Sequence, residues 1–355
     1  MRMKGKSAAG ILLLMLTVFL ASCSEQDAVK TSGQQNRPEN GYRDVIEAAE
    51  SSSTEAAVSH DFDPEAQVLA NPYYYLSVPT YITKIGAEYF IVDCYNDQII
   101  FNDNLDDPLT AWSVMTNDVK QAHTIAGDGT VYLIDDTENH RILVMERRVN
   151  NHGQPLFILT QAFTEVGDRP HYIVYHEATE TFYAWSSMSG RMLLFSRNAD
   201  DNTVSISGDY VMPSLVGIYV RSFTIIDDAI YFVSGNSSIL KADLKTFAII
   251  EAYPVPQQLA GMIQITLIED YYYLTISTDA DGNQDFATII RTESLAGLKD
   301  NHYEDIYAYF VGGGTPYNMT AIEGYWFLTE HRVPGHSIWR FTVENNEIED
   351  VTLIY

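Results

Sequence analysis

The sequence predicts an all-β chain folded as a six-bladed β-propeller with four-stranded antiparallel blades, and three observations predict it. One hairpin unit is clear, five further copies of it occur at a propeller-like period, and a weaker strand fills each gap between copies. The clear unit is Gly129-Thr-Val-Tyr-Leu-Ile-Asp-Asp-Thr-Glu-Asn-His-Arg-Ile-Leu-Val-Met145. Residues 131–135 and 141–145 are rich in β-branched and large apolar side chains, which suit a pleated, half-buried surface. Between them, Asp136 to Asn139 is turn chemistry: short polar side chains that bond their own backbone and tolerate unusual dihedrals. A Gly127-Asp-Gly129 turn and a strand around Thr124 precede it. Three strands alone are marginally stable, so the unit needs neighbours.

Each copy follows the same layout. The first runs from Pro79 to Asp93 and then Asn96 to Phe101, and the unit above is the second. The third is Pro170–Tyr175, Thr181–Ser186, a Ser189-Gly190 turn and Arg191–Phe195. The fourth is Arg221–Ile226, Ala229–Val233 and Ser238–Lys241; the fifth is Met262–Ile268, Tyr271–Ile276 and Phe286–Ile290. The sixth is Pro316–Ile322, Tyr325–Leu328 and Ser337–Phe341. The second residues of the copies are Thr80, His123, His171, Ser222, Gln264 and Tyr317, spaced by 43, 48, 51, 42 and 53 residues. The mean is about 47, a period that suits four strands per blade. Outer strands are expected at Trp112–Met115, Phe157–Leu159, Val204–Ile206, Phe247–Ile250, Ile306–Phe310 and Val351–Ile354. The segment Val68–Leu76 is expected to close the ring by pairing with the last blade, since closure hides strand edges.

The run from Gly129 to Ile142 resembles an NHL-type repeat, whose pattern is Gly, apolar strand, Asp, turn, Asn-x-Arg-apolar. The stretch Asp93–Ile99 is similar, with Gln98 where the pattern has Arg, and Gly190-Arg191 echoes it. The resemblance, to propellers of NHL/TolB-like type, implies six blades over residues 67–355. It implies no one function, because such rings host binding proteins and enzymes alike.

The chain opens with Met1-Arg-Met-Lys-Gly-Lys6, a positive start, and an apolar run from Ala8 to Leu20 too short for a comfortable span. Leu20-Ala-Ser-Cys23 resembles the bacterial lipobox. That resemblance implies a lipoprotein signal peptide over residues 1–22, cleavage before Cys23, diacylglycerol on its sulfur and an acylated amine. Two or three acyl chains suffice for stable anchoring. Residues 23–66 lack periodicity and are rich in Ser, Gln, Asn, Glu and Ala, as expected of a disordered acidic tether. The protein is then held at the extracytoplasmic face of a bacterial envelope by its lipid alone.

The formal net charge is −27, and loss of Arg2, Lys4 and Lys6 with the signal peptide leaves 18 basic against 48 acidic side chains, or −30. Such a chain repels nucleic acid and anionic headgroups. A monomer is expected, with a small molecule, a glycan or a protein as partner. Cys94 is left without a second cysteine, so no disulfide is available, and it reads as a small core residue.

Inner strands line a propeller's channel, and their starts face one mouth. Thr80, His123, His171, Ser222, Gln264 and Tyr317 are therefore expected in a ring that holds the ligand. His123 and His171, on neighbouring blades, suit a divalent metal such as zinc or a general base, or simply two histidines bonded to water or backbone. The setting Pro170-His171 is similar to that in the peptidyl-amidoglycolate lyases, which implies zinc held by inner-strand histidines. Ser222, Gln264 and Tyr317 do not complete a three-histidine set, and the inner Glu-Asn-Asp metal set of sugar-lactonase propellers is matched no better. Asp279, Asp281, Asn283 and Asp285 present oxygens at alternate positions, as calcium loops do, although an Asp-Gly-Asn hairpin tip explains them without an ion. The 24 tyrosines are open to glycan stacking or to packing between blades. The reading is a ligand- or partner-binding propeller; the alternative is a metal-dependent lyase or hydrolase working through the channel histidines.

Overall fold

The computed structural model describes residues 46–47, 55–57, 62–278, 287–310, 314–331 and 338–355. Six antiparallel sheets are arranged as the blades of a propeller. From the inner strand outward, the first blade is Pro79–Ile85, Glu88–Asp93, Gln98–Asn102 and Ser113–Thr116. The second is Ile125–Gly127, Val131–Asp136, Arg141–Val149 and Pro155–Phe163. The third is Pro170–His176, Thr181–Ser186, Arg191–Arg197 and Val204–Val211. The fourth is Val220–Ile226, Ala229–Ser234, Ser238–Asp243 and Ile249–Pro254. The fifth is Gly261–Ile268, Tyr271–Thr278, Thr288–Thr292 and Glu304–Asp305. The sixth is Thr315–Ile322, Tyr325–His331, Ile338–Glu344 and Glu347–Leu353.

Burial follows from position in the blade. Second strands are sandwiched by the blades on either side, and Val131–Asp136 and Ala229–Ser234 are buried throughout. Outer strands face water: Glu347–Leu353 exposes most of its residues, and its charges blunt an edge that would otherwise recruit another strand. Aromatic rings form the joints between blades. Phe90 meets Tyr132 at 5.4 Å and Phe157 at 5.5 Å between the first two blades. Phe163 meets Phe195 at 5.1 Å between the second and third, and Trp185 meets Phe232 at 4.8 Å between the third and fourth. Each such pair adds about 0.5–1.5 kcal/mol beyond the area it buries.

The closure differs from expectation. The segment Leu69–Ala70 pairs with Ser113–Thr116, at the outer edge of the first blade, and not with the last blade. The sixth blade is completed by the chain's own end. Tyr355 then packs edge-on against Trp112 of the first blade at 5.9 Å, accepts a hydrogen bond from Trp112 Nε1 (3.0 Å) and donates to the Asp107 carbonyl (2.7 Å). The fifth blade also departs: its outer strand is only Glu304–Asp305, and the aromatic run expected as strand is a 3-10 turn at Tyr307–Tyr309.

The segment expected as a tether contributes two short strands. Ile46–Glu47 pairs with Val211 and Tyr210 at the edge of the third blade, and Glu55–Ala57 with residues 161–163 of the second. Further along, the Asn151 N–H donates to the Pro64 carbonyl at 2.8 Å. Cys94 is buried, at the start of the turn Cys94–Asn96. Cys23 lies outside the described residues. Among the described residues, no helix is long and apolar enough to cross a membrane.

Candidate functional site at the channel mouth

The inner strands share a defect at the point where each begins. Their ladders slip between Pro79 and Tyr81, Pro170 and Tyr172, Val220 and Phe223, Met262 and Gln264, and Pro316 and Met319. A bulge leaves the intervening residue out of the ladder and re-aims its side chain. In the second blade the strand starts only at Ile125, and the buried Asp135 replaces the missing pairing. Its Oδ1 accepts the backbone N–H of His123 (3.0 Å) and of Thr124 (2.7 Å). Burial raises the Asp135 carboxyl well above the usual carboxylate range.

Six buried hydroxyls stitch this level together, one across each blade interface. Thr80 Oγ1 donates to the His123 carbonyl (2.9 Å), Thr137 to Pro170 (2.8 Å) and Ser187 to Val220 (2.8 Å). Ser222 donates to Ile263 (2.6 Å), Thr275 to Tyr317 (2.7 Å) and Thr329 to Thr80 (3.3 Å), which returns to the first blade. A buried donor left unmade here would cost about 1–3 kcal/mol.

This ring divides the six residues expected to line the channel. Thr80 and Ser222 are stitches. Gln264 is another: its Nε2 donates to the Met319 carbonyl (3.0 Å) and its Oε1 accepts the Met319 N–H (2.6 Å). Those three use their polar groups to hold blades together. His123, His171 and Tyr317 do come together. The two imidazole centroids lie 4.0 Å apart with planes tilted by 32°, and the Tyr317 ring stacks on His123 at 6.1 Å and 26°.

Both imidazoles are buried, and the partners fix their chemistry. The single hydroxyl proton of Thr137 goes to the Pro170 carbonyl, so His123 Nδ1, 3.1 Å away, carries a proton and donates to Thr137 Oγ1. That assigns His123 the tautomer whose Nε2 is a bare acceptor. His171 Nε2 lies 2.8 Å from the Tyr219 hydroxyl, while its Nδ1 has no hydrogen-bond partner. Burial, joined by the neighbouring His171 and then Arg169 and Arg221, holds His123 well below the ordinary histidine range. Burial with the same two arginines pushes His171 down to about 3. The pair is neutral at any physiological pH.

Such a pair is poorly built for a shared metal. Imidazole lone pairs lie in the ring plane, and two rings stacked at 4.0 Å with a small tilt direct them side by side rather than toward one point. No group of three His, Cys, Asp or Glu among the described residues is placed to ligate an ion. Asp279, Asp281, Asn283 and Asp285 lie outside the described residues.

Four side chains at this mouth escaped the one-residue-per-blade alignment. Tyr219 precedes the fourth blade and meets His171 edge-on at 5.5 Å. Arg221 shares its bulge with Ser222, sits over the Tyr219 ring at 5.4 Å, and donates through Nη1 to Ser277 Oγ at 2.6 Å. His331 meets Tyr317 at 5.9 Å, and Arg169 pairs with Glu138 at 2.7 Å. The signal was present: an arginine at an inner-strand start is conspicuous in a chain of net charge −27. The mouth thus has a floor of neutral imidazoles and a half-exposed rim of arginine and aromatic rings.

No family model matches the chain, and no curated protein aligns with it in sequence. Solved structures match it through fold. A protein of Bacteroides uniformis assigned as a candidate 6-phosphogluconolactonase superposes with a TM-score of 0.55 at 15% identity, over 78% of this chain and 84% of that one. Its counterpart from Bacteroides fragilis gives 0.54 at 13% identity, over 78% and 83%. A streptogramin B lyase gives 0.51 at 16% identity, over 81% and 86%. At such identities the likeness is one of fold.

Proposed function

We propose that this protein is an exported, lipid-anchored propeller that binds its ligand at the mouth carrying His123, His171 and Tyr317. The observation that supports the reading most is the stacked layer of those three rings beneath a half-exposed rim. Flat faces and a bare acceptor at His123 Nε2 offer stacking and hydrogen bonding with no ionic charge on the rings themselves. Replacing both histidines by alanine (His123→Ala with His171→Ala) is expected to weaken binding of small aromatic probes at least tenfold, measured by calorimetry, while circular dichroism keeps its β signature. Unchanged affinity in the double variant would remove the mouth from consideration.

The anchor is a reading of Leu20-Ala-Ser-Cys23 and the apolar run before it. Cys23→Ala is expected to abolish incorporation of labelled fatty acid and to release the protein from the membrane fraction. Label retained on the Cys23→Ala protein would show the anchor to be elsewhere. The lyase-or-hydrolase alternative draws no support from the imidazole geometry, which has no convergent third ligand among the described residues.

A further inference from the structure

The rim carries a cation that the fold does not use. None of the thirteen ion pairs among the described residues involves Arg221. In a chain with 48 acidic residues, an arginine left without one is a placement that needs a reason. Its guanidinium is nevertheless fixed. Nη1 donates to Ser277 Oγ at 2.6 Å, Ser277 in turn donates to the Gly261 carbonyl at 3.1 Å, and the Tyr219 ring lies beneath the cation at 5.4 Å. Those contacts leave the Nε and Nη2 edge without a protein partner among the described residues. That edge is the fork that meets a carboxylate or phosphate through two parallel hydrogen bonds.

The surroundings favour the same charge. Arg169 and Arg221 both act on the two imidazoles, which burial keeps neutral; Arg169 is paired with Glu138, so Arg221 is the cation at this mouth whose charge no ion pair among the described residues offsets. His171 is 1% exposed and keeps Nδ1 unpartnered beside this arginine, one more polar atom that the fold leaves unused. The part-exposed ring of Tyr317, stacked on buried His123, lies at the same mouth and offers an apolar, flat counterpart for whatever carries the anion.

Resting on the reading that the mouth binds a ligand, the geometry points to an organic anion: a carboxylate or phosphate group held bidentately by Arg221, with a flat body against the part-exposed Tyr317 ring that caps the buried histidine pair. The assignment separates the charge-reading residue, Arg221, from the stacking residues. It also accounts for Ser277 and Tyr219, which hold the guanidinium without occupying its fork.

Calorimetry with benzoate, phenyl phosphate and neutral benzyl alcohol tests it on the mature protein, its Arg221→Gln and Arg221→Lys variants, and the double alanine variant of the histidines. Both anions are expected to bind at least tenfold more tightly than benzyl alcohol. Arg221→Gln is expected to abolish that preference, and Arg221→Lys to restore only part of it, because a lysine keeps the charge and loses the fork. Thermal melts of the arginine variants are expected to stay close to wild type, since Ser277 keeps its own bond to the Gly261 carbonyl when the guanidinium is lost. If benzyl alcohol binds as tightly as benzoate and only the histidine replacements weaken it, the anion assignment fails while the mouth remains a binding site. If no probe binds wild type, or none responds to either set of variants, both the assignment and the mouth reading fail.

Discussion

Asp93 and Asp136 occupy equivalent positions in the first two blades and differ in one partner. Each ends a second strand and ties the incoming loop to its own turn: Asp93 accepts the Ser77 N–H at 2.6 Å, and Asp136 accepts that of Lys120 at 2.6 Å. Asn96 and Asn139 donate to them in parallel, at 2.7 and 2.9 Å. Asp136 then gains the Arg141 guanidinium at 2.5 Å, whereas Asp93 has only the Gln98 amide at 3.4 Å. The NHL-like Asn-x-Arg signature is thus a loop clamp, and its loss at Gln98 has a cost. Burial pushes the Asp93 carboxyl from an ordinary 3.8 up to about 6, against the pull of Asn96, Ser77 and Gln98. The folded state therefore holds this proton more tightly than the unfolded chain. The contribution to stability is full below about pH 4 and is lost as pH rises through 6. Between pH 7.5 and pH 5 it amounts to about 1.4 kcal/mol. Denaturant unfolding of wild type and Asp93→Asn should show wild type gaining that much on the variant at the lower pH. A difference independent of pH would contradict the account.

At the scale of strands and turns, most of the fold was legible and most of the site was not. Apolar and β-branched runs, broken by Gly, Asn and Asp turns, placed the second strands of the blades to within a few residues, because burial between two blades demands continuous apolar sequence. Outer strands were weaker signals, since Glu347–Leu353 and Glu304–Asp305 are set by an edge facing water and tolerate polar residues. The site depends on bulges, and a bulge is a tertiary event. The alignment took one residue from each copy, yet the fourth and sixth blades each carry two residues in the slip, Arg221 with Ser222 and Tyr317 with Asn318. It therefore selected Ser222 and missed Arg221. Thr80, Ser222 and Gln264 are polar residues at strand starts, and nothing in their identity distinguishes a stitch to the next blade's backbone from a ligand contact. The histidine pair was legible, because neighbouring inner strands bring equivalent positions to one level.

For the whole molecule, ring closure and charge set the terms. The carboxyl-terminal strand completes its own blade and its last tyrosine docks on the first, so the chain needs no strand exchange between its ends to close. Lys84 with Glu323 at 2.6 Å and Thr329 with the Thr80 carbonyl make the same junction nearer the axis. In a chain of net charge −27, the arginine-bearing mouth is a local exception. Under the proposal made above, the arginine-bearing mouth over the stacked rings of His123, His171 and Tyr317 is where a small ligand would be favoured over solvent. Crystals of the mature protein soaked with a mixed library of small organic fragments test that claim most directly. The account predicts that fragments cluster at the mouth, over the rings of His123, His171 and Tyr317. Fragments that leave the mouth empty and gather instead in the outer groove between Leu69, Val114 and Phe157 would contradict it.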